Sequence, residues 1–310
     1  MKIIKTYNKI ADIGLKELNK DNYTITDSAD NPDAIMVRSA SLHEVDFGCK
    51  LTAIVRCGAG VNNIPVDRCA QQGIVVFNTP GANANGVKEL TLAALLLASR
   101  DIVGGIQWAN TLTENVAKQV EKGKSAFAGC ELLHKTLGVI GLGAIGGMVA
   151  NNAKSLGMHV IGHDPYITIS AAWHLSRSIA QASSYDEIYE KADYITLHIP
   201  ATPQTKGMIN KETIAKMKDG VKIINLSRAD LVNAADLKEA LESGKVGCFM
   251  ADVLSTEPPK ADNPILHAPN TIITPHVAWA PLETRARLRD IAVENVRAFM
   301  ERRPQNVIGV

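Results

Sequence analysis

The glycines of Gly141-Leu142-Gly143-Ala144-Ile145-Gly146 stand between an apolar run at 137–140 and a helical stretch at 147–156. A second apolar run at 159–162 leads to Asp164. In that context GxGxxG marks a dinucleotide site. The first glycine permits a tight strand-to-helix turn, the second lets backbone approach a pyrophosphate, and the third lets the helix lie close on the strand with its N-terminus toward the anion. Asp164 lies 18 residues beyond Gly146, where a carboxylate can accept hydrogen bonds from ribose hydroxyls and repel a 2′-phosphate. NAD is therefore expected rather than NADP, held by Gly141, Gly143, Ala144, Ile145, Gly146 and Asp164.

A nicotinamide enzyme also needs a proton donor or acceptor beside the hydride and a cation for the substrate oxygens. Arg228 follows the run 223–227, Glu257 follows 251–256 and His276 follows 272–275. All three come after the fingerprint and at strand ends, where ligands of open α/β sheets bind. Taken singly, each has an ordinary reading as a solvated charge, a turn residue or a structural imidazole. Their joint occurrence favours a catalytic set.

Short apolar runs at 34–37, 52–55, 74–77, 137–140, 159–162, 194–197, 222–225, 248–252 and 271–274 alternate with helical patterns. Such alternation specifies parallel sheets covered by helices, an α/β fold. In a lone Rossmann domain the glycine fingerprint falls near the start, but here more than 130 residues precede it, with three strand candidates of their own. The expected organisation is a flavodoxin-like substrate domain over 1–96, a Rossmann NAD-binding domain over 97–280, and a C-terminal segment, 281–310, returning to the first domain. Its stretch 281–302 reads as one amphipathic helix. Crossings at 89–101 and near 280 would make a hinge over a cleft, a favoured place for small ligands.

Composition narrows the classes. At 46% hydrophobic, 21% charged and net +1, the 310-residue chain has the balance of a soluble globular protein. It has no general attraction for nucleic acid or acidic membranes. Cys49, Cys57, Cys69, Cys130 and Cys248 lack metal-site spacing, so no metal and no disulfide framework is expected, and the chain reads as cytoplasmic. Residues 1–15 are too interrupted for a signal peptide. The longest apolar segment, 92–98, is far short of the roughly 20 residues that span a bilayer and reads as a buried helix.

Eight ordered blocks extend the argument: Val37-Arg38-Ser39-Ala40, Arg56-Cys57-Gly58-Ala59-Gly60-Val61, residues 78–85, residues 135–143, Leu197-His198-Ile199-Pro200, Asn225-Leu226-Ser227-Arg228, Asp252-Val253 with Glu257-Pro258, and Thr274-Pro275-His276. In this order they resemble the D-isomer-specific 2-hydroxyacid dehydrogenases over almost the whole chain. The first three blocks resemble members acting on 3-phospho-D-glycerate. The resemblance implies that His276 takes the hydroxyl proton as hydride leaves, that Glu257 holds the imidazole and favours its charged form, and that Arg228 binds the α-carboxylate and reacting oxygen. It further implies that backbone amides of Gly58, Ala59, Gly60 and Val61 share the carboxylate. Arg38, Arg56 and Asn83 are candidates for the phosphate. Asp252 would meet the nicotinamide carboxamide, with His198, Pro200, Leu226 and Ala278 along the cofactor. Cys57 carries no assigned role; Arg56 beside it could lower its pKa, but a structural role is the simpler expectation.

Several positions depart from the family pattern. Ala144 stands where many members carry arginine, Asn62 replaces a common aspartate, Lys88 sits where a small residue is usual, and Ala229-Asp230 follows Arg228 where glycine is frequent. A chain ending at Val310 is expected to lack the C-terminal regulatory domains of some members, and with them feedback by serine. The expected partner is a small phosphorylated 2-hydroxy acid, with no nucleic acid or membrane, in a homodimer formed through the cofactor domain. Two alternatives compete: an enzyme acting on glycerate or hydroxypyruvate, with which Thr274-Pro275-His276-Val277-Ala278-Trp279 is compatible, and an NAD(H)-sensing binding protein of corepressor type.

Overall fold

A computed structural model describes residues 1–8, 10, 18, 20–255 and 259–308. The chain divides into two compact units: residues 1–86 with 279–310, and residues 87–278.

In the first unit, β1 (Lys2–Tyr7), β2 (Tyr23–Thr26), β3 (Ala34–Val37), β4 (Ala53–Arg56) and β5 (Val75–Phe77) form a parallel sheet in the order β2-β1-β3-β4-β5. This is the flavodoxin-like order, with its topological switch between β1 and β3. β3 and β4 are buried over most of their length, so they read as continuous apolar runs instead of alternating ones.

The second unit is built on β6 (Thr136–Ile140), β7 (His159–His163), β8 (Ala180–Gln181), β9 (Tyr194–Leu197), β10 (Val221–Asn225), β11 (Val246–Ala251) and β12 (Thr271–Ile273). These strands are all parallel, in the order β8-β7-β6-β9-β10-β11-β12. Numbered within the unit, this is the Rossmann order 3-2-1-4-5-6 with a seventh strand added, and its switch lies between β6 and β9. Apolar clusters cover both faces. Ile188, Ile195, Leu197, Ile223 and Leu237 belong to one; Leu137, Val139, Val149, Tyr194 and Met250 belong to the other.

The helix Leu282–Met300 belongs to the first unit, where Ala292, Val293 and Val296 join a core containing Met36, Val55 and Phe77. Phe299 meets Phe77 edge to face at 5.5 Å. The chain closes with β13 (Val307–Ile308), antiparallel on β5. The segment 92–98 lies within the helix Ala84–Ser99, but it is buried on one side only: Ala94 and Leu95 are fully covered while Leu96 is exposed. Among the described residues, no helix is long and apolar enough to cross a membrane.

Candidate active site

The fingerprint turn occupies the switch point of the second sheet. Gly141 leaves β6 with φ +90°, and a Cβ there would lie 2.6 Å from the His198 carbonyl oxygen, which follows β9. Only glycine combines that backbone with that approach. A Cβ at Gly146 would overlap the Gly141 carbonyl, so the third glycine lets the helix Gly146–Ser155 start directly against the strand. At Gly143 a Cβ would meet nothing within 4 Å. The backbone N–H groups of Gly143, Ala144 and Ile145 make no hydrogen bond among the described residues. Together, open space over Gly143, unclaimed amides and a ten-residue helix N-terminus fit the pyrophosphate of a dinucleotide.

Asp164, half-buried beyond the end of β7, accepts from the Leu142 amide at 2.9 Å and from the Tyr166 amide at 2.9 Å. It thus fixes the Leu142 amide of the turn as well as presenting charge beside it. His198 closes the other side. Its Nε2 lies 3.0 Å from Thr196 Oγ1, its Nδ1 is buried with no partner among the described residues, and burial pushes its pKa down to about 4.

Arg228 and His276 both lie just past strand ends, and each sits on a loop organised by a buried polar residue. Asn225, the last residue of β10 and 1% exposed, donates from Nδ2 to the Arg228 carbonyl at 2.8 Å. Its Oδ1 accepts from the Ser227 amide and hydroxyl at 3.2 and 3.1 Å. Arg228 is exposed, and its Nη1 donates to the Ser227 carbonyl at 2.7 Å.

Asp252, just past the end of β11, is also 1% exposed. Its Oδ1 accepts from Thr274 Oγ1 at 2.5 Å and from the Val277 amide at 2.8 Å, and its Oδ2 accepts from the Ala278 amide at 2.8 Å. Between those anchors His276 is exposed and holds φ +53°, a left-handed conformation that costs a residue with a Cβ about 1–2 kcal/mol. The Asp252 carboxylate thus fastens the histidine loop on both sides of His276. Leu226 and Ala278 are buried nearby in sequence, and Pro200 is exposed after β9. Glu257 lies outside the described residues.

The remaining candidates fall in the first unit. Arg38 follows β3, at that sheet's switch point, and its guanidinium lies over the Trp279 ring at 4.2 Å. Arg56 ends β4 and folds back: its Nη1 donates to the Cys57 carbonyl at 3.1 Å and fills the space beside Gly58, where a Cβ would overlap it. The Gly58 amide donates to the Arg56 carbonyl at 2.9 Å, but the amides of Ala59, Gly60 and Val61 make no hydrogen bond among the described residues. Asn83 is half-buried immediately before the helix Ala84–Ser99. Cys57 is buried, and desolvation outweighs the two nearby arginines, pushing its thiol up to about 12. It is a core residue and an inert thiol at neutral pH.

Sequence reasoning overlooked Asn225 and Thr274, the polar side chains that shape the two loops. Their signal was a hydrogen-bonding residue directly after a pair of isoleucines, Ile223-Ile224 and Ile272-Ile273. It also overlooked Trp279 as the partner of Arg38, and Asp252 as the anchor of the histidine loop.

A model of the D-isomer specific 2-hydroxyacid dehydrogenase, NAD binding domain, matches residues 92–278. D-3-phosphoglycerate dehydrogenase of Methanocaldococcus jannaschii is 39% identical over 271 residues, 86% of this chain and 50% of that protein. The chain spans about half the length of the phosphoglycerate dehydrogenases it matches. Hydroxypyruvate reductase of Blautia hydrogenotrophica is 40% identical over 253 residues, 81% of this chain and 76% of that protein. Among solved structures, D-lactate dehydrogenase from Aquifex aeolicus complexed with NAD and lactic acid matches with a TM-score of 0.76 at 27% identity, over 97% of this chain and 96% of that one.

Proposed function

The chain belongs to the D-isomer specific 2-hydroxyacid dehydrogenases, and we propose that within that family it interconverts 3-phospho-D-glycerate and 3-phosphohydroxypyruvate with NAD, an oxidation on the route to L-serine. The observation that supports this reading most is the pairing of an intact dinucleotide turn with two anchored loops, carrying Arg228 and His276, at the same end of one parallel sheet.

When bound, NAD would supply the hydride acceptor for C2 of the substrate in the oxidising direction. This chain's residues do the rest. Gly143, Ala144 and Ile145 amides would hold the pyrophosphate and Asp164 the ribose; Pro200, Leu226 and Ala278 would line the nicotinamide's place, and Asp252 would meet its carboxamide. The His276 imidazole takes the C2 hydroxyl proton as the carbonyl forms, supported by Glu257. Arg228 holds the α-carboxylate and polarises the reacting oxygen with its planar fork. The amides of Gly58 to Val61 share the carboxylate, and Arg38, Arg56 and Asn83 serve the distal phosphate.

Steady-state assays with 3-phosphoglycerate and glycerate, each with NAD and NADP, test the assignment. Turnover confined to glycerate and hydroxypyruvate would replace it with a hydroxypyruvate reductase. That second reading is favoured by the relative from B. hydrogenotrophica, of which the chain covers more than of any phosphoglycerate dehydrogenase cited above.

We also infer a homodimer. The helix Ile102–Ala109 has no buried residue and exposes Ile102, Val103 and Ile106, an apolar face suited to a second copy. Sedimentation equilibrium tests it, and Ile106→Glu should yield monomer. The five free, scattered cysteines suit the reducing cytoplasm as its location.

A further inference from the structure

We propose that Trp279 is a positioning residue for substrate selection: its ring fixes the Arg38 guanidinium so that the hydrogen-bonding fork receives the distal anionic group of the substrate. The inference rests on the phosphorylated-acid reading above and adds the device that would enforce it.

The two arginines of the first unit differ in what their guanidinium groups are already doing. Arg56 is folded onto its own loop, donating to Cys57 and packed against Gly58. Arg38 is half-buried, yet it donates to no described residue and pairs with no described carboxylate. What holds it is the flat face of Trp279 at 4.2 Å. Stacking restrains the plane of a guanidinium while leaving its edge N–H groups unspent.

The backbone beneath it is set as well. Asn8, at φ +68°, accepts the amides of Ser39 and Ala40 at 2.9 and 2.7 Å, fixing the chain that leaves β3 at the switch of the first sheet. Asn63 Nδ2 donates to the Ala40 carbonyl at 2.8 Å, tying that turn to the loop after β4, where the amides of Ala59, Gly60 and Val61 remain unclaimed. A restrained, unspent guanidinium and unclaimed amides, carried on two loops that Asn63 ties together, have the composition of an anion receptor.

A solvated arginine without its stacking partner would sample many rotamers and pay to order each time it bound. Trp279→Ala should therefore raise KM for 3-phosphoglycerate about 10-fold with kcat within about twofold, and raise KM for glycerate far less. Trp279→Phe, which keeps an aromatic face, should recover most of the loss. Adding Trp279→Ala to Arg38→Gln should cost little beyond Arg38→Gln alone. Equal losses on both acids, or additive losses in the double variant, would overturn the proposal. A readout independent of turnover separates it from the functional reading: labelling of Arg38 by phenylglyoxal, mapped by mass spectrometry, should be slowed by inorganic phosphate in the wild type and not in Trp279→Ala. Absent protection in the wild type, or equal protection in both, sinks the positioning role whatever the substrate. Retained protection with no turnover of either acid sinks the functional reading alone.

Discussion

Replacing Asp252 by asparagine tests whether the buried carboxylate sets the histidine loop. The substitution keeps the shape and removes one acceptor. If the amide oxygen takes the Oδ1 position it keeps Thr274 and Val277 and turns an NH₂ group toward the Ala278 amide; the opposite rotamer keeps Ala278, can donate to the Thr274 hydroxyl, and turns the NH₂ group toward the Val277 amide. Either choice removes one charge-assisted hydrogen bond, worth about 1.5–3 kcal/mol, and leaves a buried N–H facing a donor, at about 1–3 kcal/mol. These costs overlap, so about 2–4 kcal/mol is withdrawn from the held loop. That exceeds the about 1–2 kcal/mol of left-handed strain at His276, so relaxation of the histidine becomes favourable. With 1.36 kcal/mol per tenfold, the withdrawal corresponds to at most about a 1,000-fold loss. Since the wild-type preference absorbs part of it, kcat should fall about 10- to 100-fold. The assay is steady-state turnover alongside NADH fluorescence titration and thermal melting. A kcat within threefold of wild type would show that Asp252 does not set the histidine, and a fall in Tm with no change in kcat would show that it serves the fold alone.

His276→Ala should lower kcat about 10²- to 10⁴-fold with NADH affinity nearly unchanged, read by the same titration; parallel loss of both would remove the acid–base assignment. Asp164→Ala should weaken the preference for NAD over NADP by about 10-fold or more, measured as the ratio of kcat/KM values; an unchanged ratio means the carboxylate serves only the Leu142 and Tyr166 amides. His198 carries a pH signature: burial holds its pKa near 4 in place of 6.5, so the unfolded chain takes up a proton between those values that the folded chain refuses. Stability should therefore be full above about pH 6.5 and decline toward pH 4, and Tm of His198→Asn should show a shallower decline across that window than wild type. Identical slopes would place the acid sensitivity elsewhere.

The central strands were legible because parallel strands covered on both faces must be apolar throughout, and 34–37 and 194–197 coincide with β3 and β9. The strands that escaped notice lack that signature. β1 is central, yet among its six residues only Ile4 is buried, and Lys2, Lys5 and Thr6 interrupt the run. β2 is a half-buried edge, β8 is two exposed residues, and β13 is two residues pairing antiparallel at the far edge. Edges bury one face at most, so composition cannot distinguish them from loops.

The fingerprint was legible for the opposite reason: its glycines answer steric demands that no other residue meets, and the clashes a Cβ would make at Gly141 and Gly146 are those demands in the fold. Loops beyond the strand ends obey a less local rule. Each must leave the sheet in a conformation that its own residues do not favour, and the restoring contact comes from a polar group buried where the strand stops. Asn225 holds the Arg228 loop from three residues away, which a careful reader of sequence could infer. Asp252 holds Val277 and Ala278 across 25 and 26 residues, a pairing that exists only because β11 and β12 lie side by side. The same holds for Arg38 and Trp279, separated by most of the chain and joined because the C-terminal helix belongs to the first unit. Residue type thus announces which side chains can do chemistry, while the selectivity of that chemistry depends on partners that only the returning chain brings near.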